Sequence, residues 1–256
     1  MNSINHVALG TAILFFSGIG ADVALAQEPP KPAARAPIPG QLAQDFTAGR
    51  VPRAEEIAAA EKDAAADPTN YEVVRRLGKG YFFQFFGGGN NASVPKAQAT
   101  FDRVLELKKD DPETLAYYGA LYAQIARRLD KADPAKQKAD FDKSYELLTR
   151  AEKIAPRHGA VVSVTSASYL DLPESYGMAP HVIEQLEGMR KGMGPMFERF
   201  SHHGRQRLLL TLGRAYAATG QPEKARANFD EALAINQEST EANLLKTELA
   251  KLAPKP

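Results

Sequence analysis

The segment "QRLLLTLGRAYAATGQPEKARANFDEALAINQ", Gln206 to Gln237, decides how the rest of the chain reads. Leu209, Leu212 and Tyr216 recur at spacings of three and four, one face of an α-helix. Gly213 stands among them, where a missing side chain lets a neighbouring helix come close. Gly220 and Pro222 end that helix and open the next, because glycine suits the position past a C-terminus and proline a first turn. Ala225, Phe229 and Ala232 mark the inner face of the second helix. The segment predicts a helix hairpin.

The same offsets occur twice more. Val74, Leu77, Gly78 and Tyr81 are followed by Ala97, Phe101 and Val104. Leu115, Tyr118, Gly119 and Tyr122 are followed by Ser144, Leu148 and Ala151, then Pro156. In all three copies the second-helix positions are spaced four, then three. This pattern resembles the tetratricopeptide repeat, a helix–turn–helix unit of about 34 residues. The resemblance implies an all-α fold, a right-handed α-solenoid of stacked hairpins, with these residues as its structural signature. The departure is at the hairpin tips: from tyrosine to the small residue is 9 positions in the last copy, 16 in the first and 22 in the second. The extra residues sit in the turns or lengthen the helices around them.

A second marker extends the pattern. Pro52, Pro95, Pro134, Pro180 and Pro222 fall where each second helix should begin, and Gly49, Gly89, Gly177 and Gly220 precede four of them. Asp133 is a candidate N-cap for the fifth. The chain therefore divides into units at about 41–68, 69–111, 112–156, 157–204 and 205–238. A final helix over 239–252 would cap the exposed end, with Leu244, Leu245, Leu249 and Leu252 facing the last hairpin. The stretch "AVVSVTSASYL", 160–170, is β-branched, but its place in the pattern predicts a first helix.

Composition narrows the function. Lys plus Arg number 32 against 31 Asp plus Glu, a balance that gives no reason to expect a nucleic-acid partner. The absence of cysteine removes disulfides, thiol catalysis and cysteine-based zinc sites. Residues 7–19 are an apolar run of 13, short for a membrane span, followed by Ala24-Leu25-Ala26, an A-x-A cleavage pattern. An export signal over 1–26, cleaved after Ala26, is expected, the other reading being an uncleaved anchor. No stable membrane insertion is expected once the signal is removed. Residues 27–40 hold five prolines and predict a linker, leaving 41–252 as the folded domain.

The aromatic and glycine-rich stretch "YFFQFFGGGNN", 81–91, lacks the strand before it and the Lys after it that a phosphate loop needs, so it reads as a hairpin tip. Tyr81 and Phe85 should pack inward, and Phe82 and Phe86 form an adjacent stripe. The resemblance places Phe82 and Phe83 on the concave groove, where they either form an anchor pocket or are covered by their own tip. It places Arg75, Lys79, Arg207 and Arg214 in the same groove, around Ala116, Ala120, Ala123 and Gln124. Those cations are either an attraction for an acidic or carboxylate-ended peptide or a solvated helix face. No metal-binding histidine pair, no G-x-S-x-G and no catalytic constellation is present, so neither an enzyme nor a cofactor is expected. The expected function is an exported, periplasmic or secreted, scaffold that binds a protein or peptide, for assembly or maturation of an envelope complex. The alternative is a small-ligand-binding helper of a solute transport system.

Overall fold

The computed structural model describes residues 50–252. The expected signal 1–26, the linker 27–40 and the start of the first unit, 41–49, lie outside the described residues. Among the described residues there are ten α-helices and no strand. They are α1 (Ala54–Ala66), α2 (Tyr71–Phe86), α3 (Ser93–Leu107), α4 (Pro112–Arg128), α5 (Pro134–Ile154), α6 (Gly159–Tyr169), α7 (Ala179–Met193), α8 (His202–Ala218), α9 (Pro222–Ile235) and α10 (Thr240–Lys251). Short 3-10 turns at Glu174–Tyr176 and Gly194–Arg199 interrupt the connections around α7.

Local chemistry sets these boundaries. Asn70, Asp111, Asp133, Ser201 and Ser239 cap α2, α4, α5, α8 and α10 by accepting hydrogen bonds from backbone amides two or three residues on. Proline occupies the first turn of α4, α5, α7 and α9, where its missing N–H costs nothing. Gly89, Gly177 and Gly220, the glycines that precede the tip prolines, adopt φ of 66°, 65° and 71°. Any side chain would be strained there. The β-branched segment forms α6, with Val161 and Val162 buried.

The helices pack as stacked hairpins: α2 on α3, α4 on α5, α6 on α7, α8 on α9, with α10 against both members of the last. First helices α2, α4, α6 and α8 also touch in succession, and each second helix touches the next first helix. First helices therefore form the inner, concave layer of a solenoid. The interlock within three hairpins is a glycine under a large side chain. A Cβ at Gly78 would lie 2.7 Å from Phe101, one at Gly119 2.7 Å from Leu148, and one at Gly213 2.3 Å from Phe229. The nine second-helix positions of the three copies are at most 1 % exposed. Burying each large side chain stabilises the fold by about 1.5–3 kcal/mol.

The long second tip is mostly helix. Pro134 opens α5 ten residues before Ser144, whereas Pro222 opens α9 three residues before Ala225. The capping helix differs from expectation in one residue. Leu245 is fully buried and Leu249 and Leu252 pack on the core, but Leu244 is 44 % exposed. Adjacent residues point about 100° apart on a helix, so 245, 249 and 252 share a face that 244 cannot join.

Each first helix also donates a tyrosine hydroxyl to a carboxylate on the preceding second helix. Tyr81 reaches Glu61, Tyr118 reaches Asp102 at 2.9 Å, Tyr169 reaches Glu152 at 2.8 Å, and Tyr216 reaches Glu187. These bonds tie each hairpin to the one before it. Burial, with the carboxylate's help, pushes the Tyr216 hydroxyl up to about 12.

Candidate functional site

The concave layer encloses a cavity of about 560 Å³. Its walls follow from which residues the first helices turn inward. From α2 and α4 come Phe82, Phe83, Phe86 and Tyr117. Phe82 stacks on Phe86 with centroids 5.5 Å apart, and Tyr117 stands edge-on to Phe82 and Phe83 at 5.5 and 5.8 Å. The floor is α6, which presents Ala160, Ser163, Val164 and Ala167. Small side chains there leave the space. The opposite wall is α8, with Arg207, Leu208 and Thr211. Met193, Phe197 and Phe200 at the end of α7 and in the segment after it, and Glu241 at the start of α10, complete the lining.

The charges around this space are mostly satisfied. Lys79 is 1 % exposed; its Nζ lies 2.8 Å from Glu113 and 4.8 Å from the centre of the Tyr117 ring. Arg75 pairs with Asp111 at 3.1 Å and Glu113 at 3.4 Å. Burial works against the Asp111 charge, but Arg75 and the Thr114 hydrogen bonds overcome it and hold the carboxyl below its usual range. Asp171 accepts from Gln124 Nε2 at 2.7 Å and pairs with Arg127. Burial nevertheless raises its carboxyl above the ordinary value. His203 Nδ1 lies 3.0 Å from Glu241 Oε1. Arg214 pairs with Glu248 of the capping helix at 2.7 Å. No cluster of metal-ligating side chains exists among the described residues.

The hairpin α8–α9, with Gly213 under Phe229 and a left-handed Gly220 before Pro222, coincides with the match of a family model, Tetratricopeptide repeat, at residues 206–239. Residues 206–239 form a tetratricopeptide repeat. No curated protein and no solved structure matches the chain. The all-helical stack around this repeat is a tetratricopeptide-like solenoid. Repeats of this kind generally act as non-catalytic scaffolds for protein–protein interaction, so the repeat points to a protein partner. No described helix is long and apolar enough to cross a membrane.

Of the six expected groove residues, the solenoid brings Lys79, Phe82, Phe83 and Arg207 to the cavity. Arg75 and Arg214 do not line it. Lys79 and Arg75 are neither open to an acidic peptide nor simply a solvated face: Glu113 and Asp111 answer them. First-helix positions gave the cations, but their carboxylates lie 34 and 36 residues further on, at the start of α4. Phe82 and Phe83 are only 4 % and 3 % exposed, yet it is the ring of Tyr117 on the next helix that packs on them. Their own tip turns away: Gly89, Asn90 and Asn91 are exposed. Gly87 and Gly88 instead make room for Val51, which a Cβ would approach to 3.0 and 3.1 Å.

Sequence reading missed Tyr117, Asp171, Phe197, Phe200 and Glu241. The run "PMFERF", 195–200, carried a signal: two aromatics spaced three apart, in a segment opened by Gly194 and Pro195. Nothing in the repeat pattern assigned them a face.

Proposed function

We propose that this chain is an exported, periplasmic scaffold that holds a segment of a partner protein in its concave groove, in the assembly or maturation of an envelope complex, and that it is not an enzyme. The observation that carries the reading is the aromatic-walled cavity shared by the first helices of four successive hairpins. A buried aromatic cluster beside small residues is the kind of pocket that anchors a partner's side chain. Export rests on the apolar run 7–19 and the A-x-A pattern ending at Ala26.

Affinity capture from an envelope fraction tests the groove. Ala167→Trp and Ser163→Trp fill its floor from half-buried positions and should leave the helical content unchanged. A partner captured by the native chain and by neither variant supports the groove; a partner held equally by all three removes it. N-terminal sequencing of the exported protein should read from Gln27, and a chain still beginning at Met1 would overturn cleavage.

A second reading, a small-ligand-binding helper of a solute transport system, is favoured by the cavity itself. Its volume of about 560 Å³ falls in the usual range for small-molecule sites, and its lining is mainly apolar with a few polar groups.

A further inference from the structure

Among the described residues that line the cavity, Arg207 is the arginine or lysine whose guanidinium or ammonium makes no hydrogen bond or ion pair. Lys79 pairs with Glu113 and Arg205 with Glu198, while the Glu241 carboxylate lies against His203. Asp171 is held by Gln124 and Arg127. Arg207 lies in the second turn of α8, half-buried, on the wall facing the cavity. No hydrogen bond or ion pair to its guanidinium is formed among the described residues. The charged groups that act on it are Glu241, already engaged by His203, and Arg214, which repels it. Tyr117, on the aromatic wall, is also close enough to influence it.

A half-buried guanidinium without a hydrogen-bonding partner is costly. A lysine there could shed its proton, but arginine cannot, so its charge has to be met by water or by an anion. A carboxylate answers it best, because the planar fork of donors matches two carboxylate oxygens. The same cavity carries the stacked rings of Phe82 and Phe86 and the edge-on ring of Tyr117, a wall suited to a flat apolar group. Phe197, Phe200 and Glu241 line it as well, from outside the layer of first helices, so the space is bounded on several sides and has room for a small molecule.

We propose that the cavity binds a small organic carboxylate, the carboxylate on Arg207 and an aromatic or branched apolar body against Phe82, Phe86 and Tyr117. This rests on the small-ligand reading of the cavity and competes with the partner segment for the same space.

The test is calorimetry and thermal unfolding of the purified chain with phenylacetate and 3-phenylpropanoate. Phenylacetamide and acetate remove the charge and the ring in turn. At a ligand concentration a hundredfold above Kd, the aromatic carboxylates should raise Tm by on the order of 5–10 °C. The amide and acetate should leave it unchanged. Arg207→Gln should weaken phenylacetate roughly 10- to 100-fold while melting no lower than the native chain. Arg207→Lys keeps the charge but not the fork, and should bind with intermediate affinity; it serves if the glutamine variant does not fold. An absent response to both carboxylates, an equal response to phenylacetamide, or an Arg207→Gln variant that binds as well as the native chain overturns the proposal. So does binding of acetyl-Gly-Gly-Phe with no binding of phenylacetate, which would assign the pocket to a peptide end. Partner capture that persists in Ala167→Trp overturns the groove reading and leaves phenylacetate binding by the native chain untouched, so the two failures are distinguishable.

Discussion

The hairpin α8–α9 and the hairpin α6–α7 occupy equivalent places in the stack but solve their packing differently. In α8–α9, Gly213 admits Phe229 to within contact of the helix backbone. In α6–α7 the equivalent position, three residues before the tyrosine, is Ser166, whose hydroxyl donates to Gln185 at 2.6 Å. Opposite it, Val182, Leu186 and Met189 keep the spacing of four and three, with Leu186 in place of the phenylalanine and larger residues in place of the two alanines. The tyrosine is retained in both, Tyr216 to Glu187 and Tyr169 to Glu152. The difference shows that a hairpin needs the spacing and the link to its neighbour, while the glycine-and-phenylalanine interlock has a substitute. It also shows where the cavity comes from. The hairpin with the weakest signature has the smallest inward residues, and the segment after it carries Phe197 and Phe200 into the lining.

Lys79 and Glu113 form a nearly fully buried pair between α2 and α4, which no pair at α6 parallels. Lys79→Ala leaves Glu113 buried without that partner and should cost about 3–5 kcal/mol in urea unfolding. The double change Lys79→Met with Glu113→Leu should recover most of the loss. Next, Gly213→Ala forces a Cβ to 2.3 Å from Phe229 and should cost about 1–3 kcal/mol. Gly188→Ala in α7, where a Cβ would meet nothing within 4 Å, should instead stabilise by up to about 1 kcal/mol. If both glycine changes had the same sign, the contrast between the hairpins would be lost. Tyr169→Phe removes one inter-hairpin hydrogen bond and should cost about 1 kcal/mol.

The smallest effect is one of pH and lies at the lengthened start of α5. Asp140 is raised to about 7 by burial and by its hydrogen bond and charge contact with Asp130. Its proton is therefore held more tightly in the folded chain than in the unfolded one. The stability this gives is complete below the ordinary aspartate range and is lost as pH rises toward about 7. Asp130, shifted the opposite way by the same bond, offsets part of it. Asp140→Asn should flatten this slope between pH 4 and 7, and thermal melts across that window measure it. An unchanged slope would show that the two carboxyls do not share a proton.

Much of the architecture could be read directly. The periodicity of Leu77, Gly78 and Tyr81, repeated at 118–122 and 212–216, names the hairpins because glycine and small residues at fixed offsets are where helices must touch. The tip prolines locate α3, α5, α7 and α9 for reasons internal to the backbone, a fixed φ and a missing donor. Even the divergent 157–204 region was placed as a helix pair by these marks. The candidate site was readable only in part. Phe82, Phe83 and Arg207 were reached because groove positions recur with the repeat. Glu113, Asp171 and Glu241 were not, since they arrive from other helices and from the turn after α6, and the repeat spacing carries no information about them.

Sequence by itself therefore determined the helices, their pairing and the inward face of three of the second helices, α3, α5 and α9, since these depend on local turn chemistry and short-range spacing. Tertiary structure alone decided which charges cancel and which does not. Lys79 meets Glu113 and Arg214 meets Glu248, both 34 residues along the chain, while Arg207 is left facing the cavity. Charge pairing follows distance in space, and stacking hairpins sets that distance between residues whose separation in the chain does not announce it.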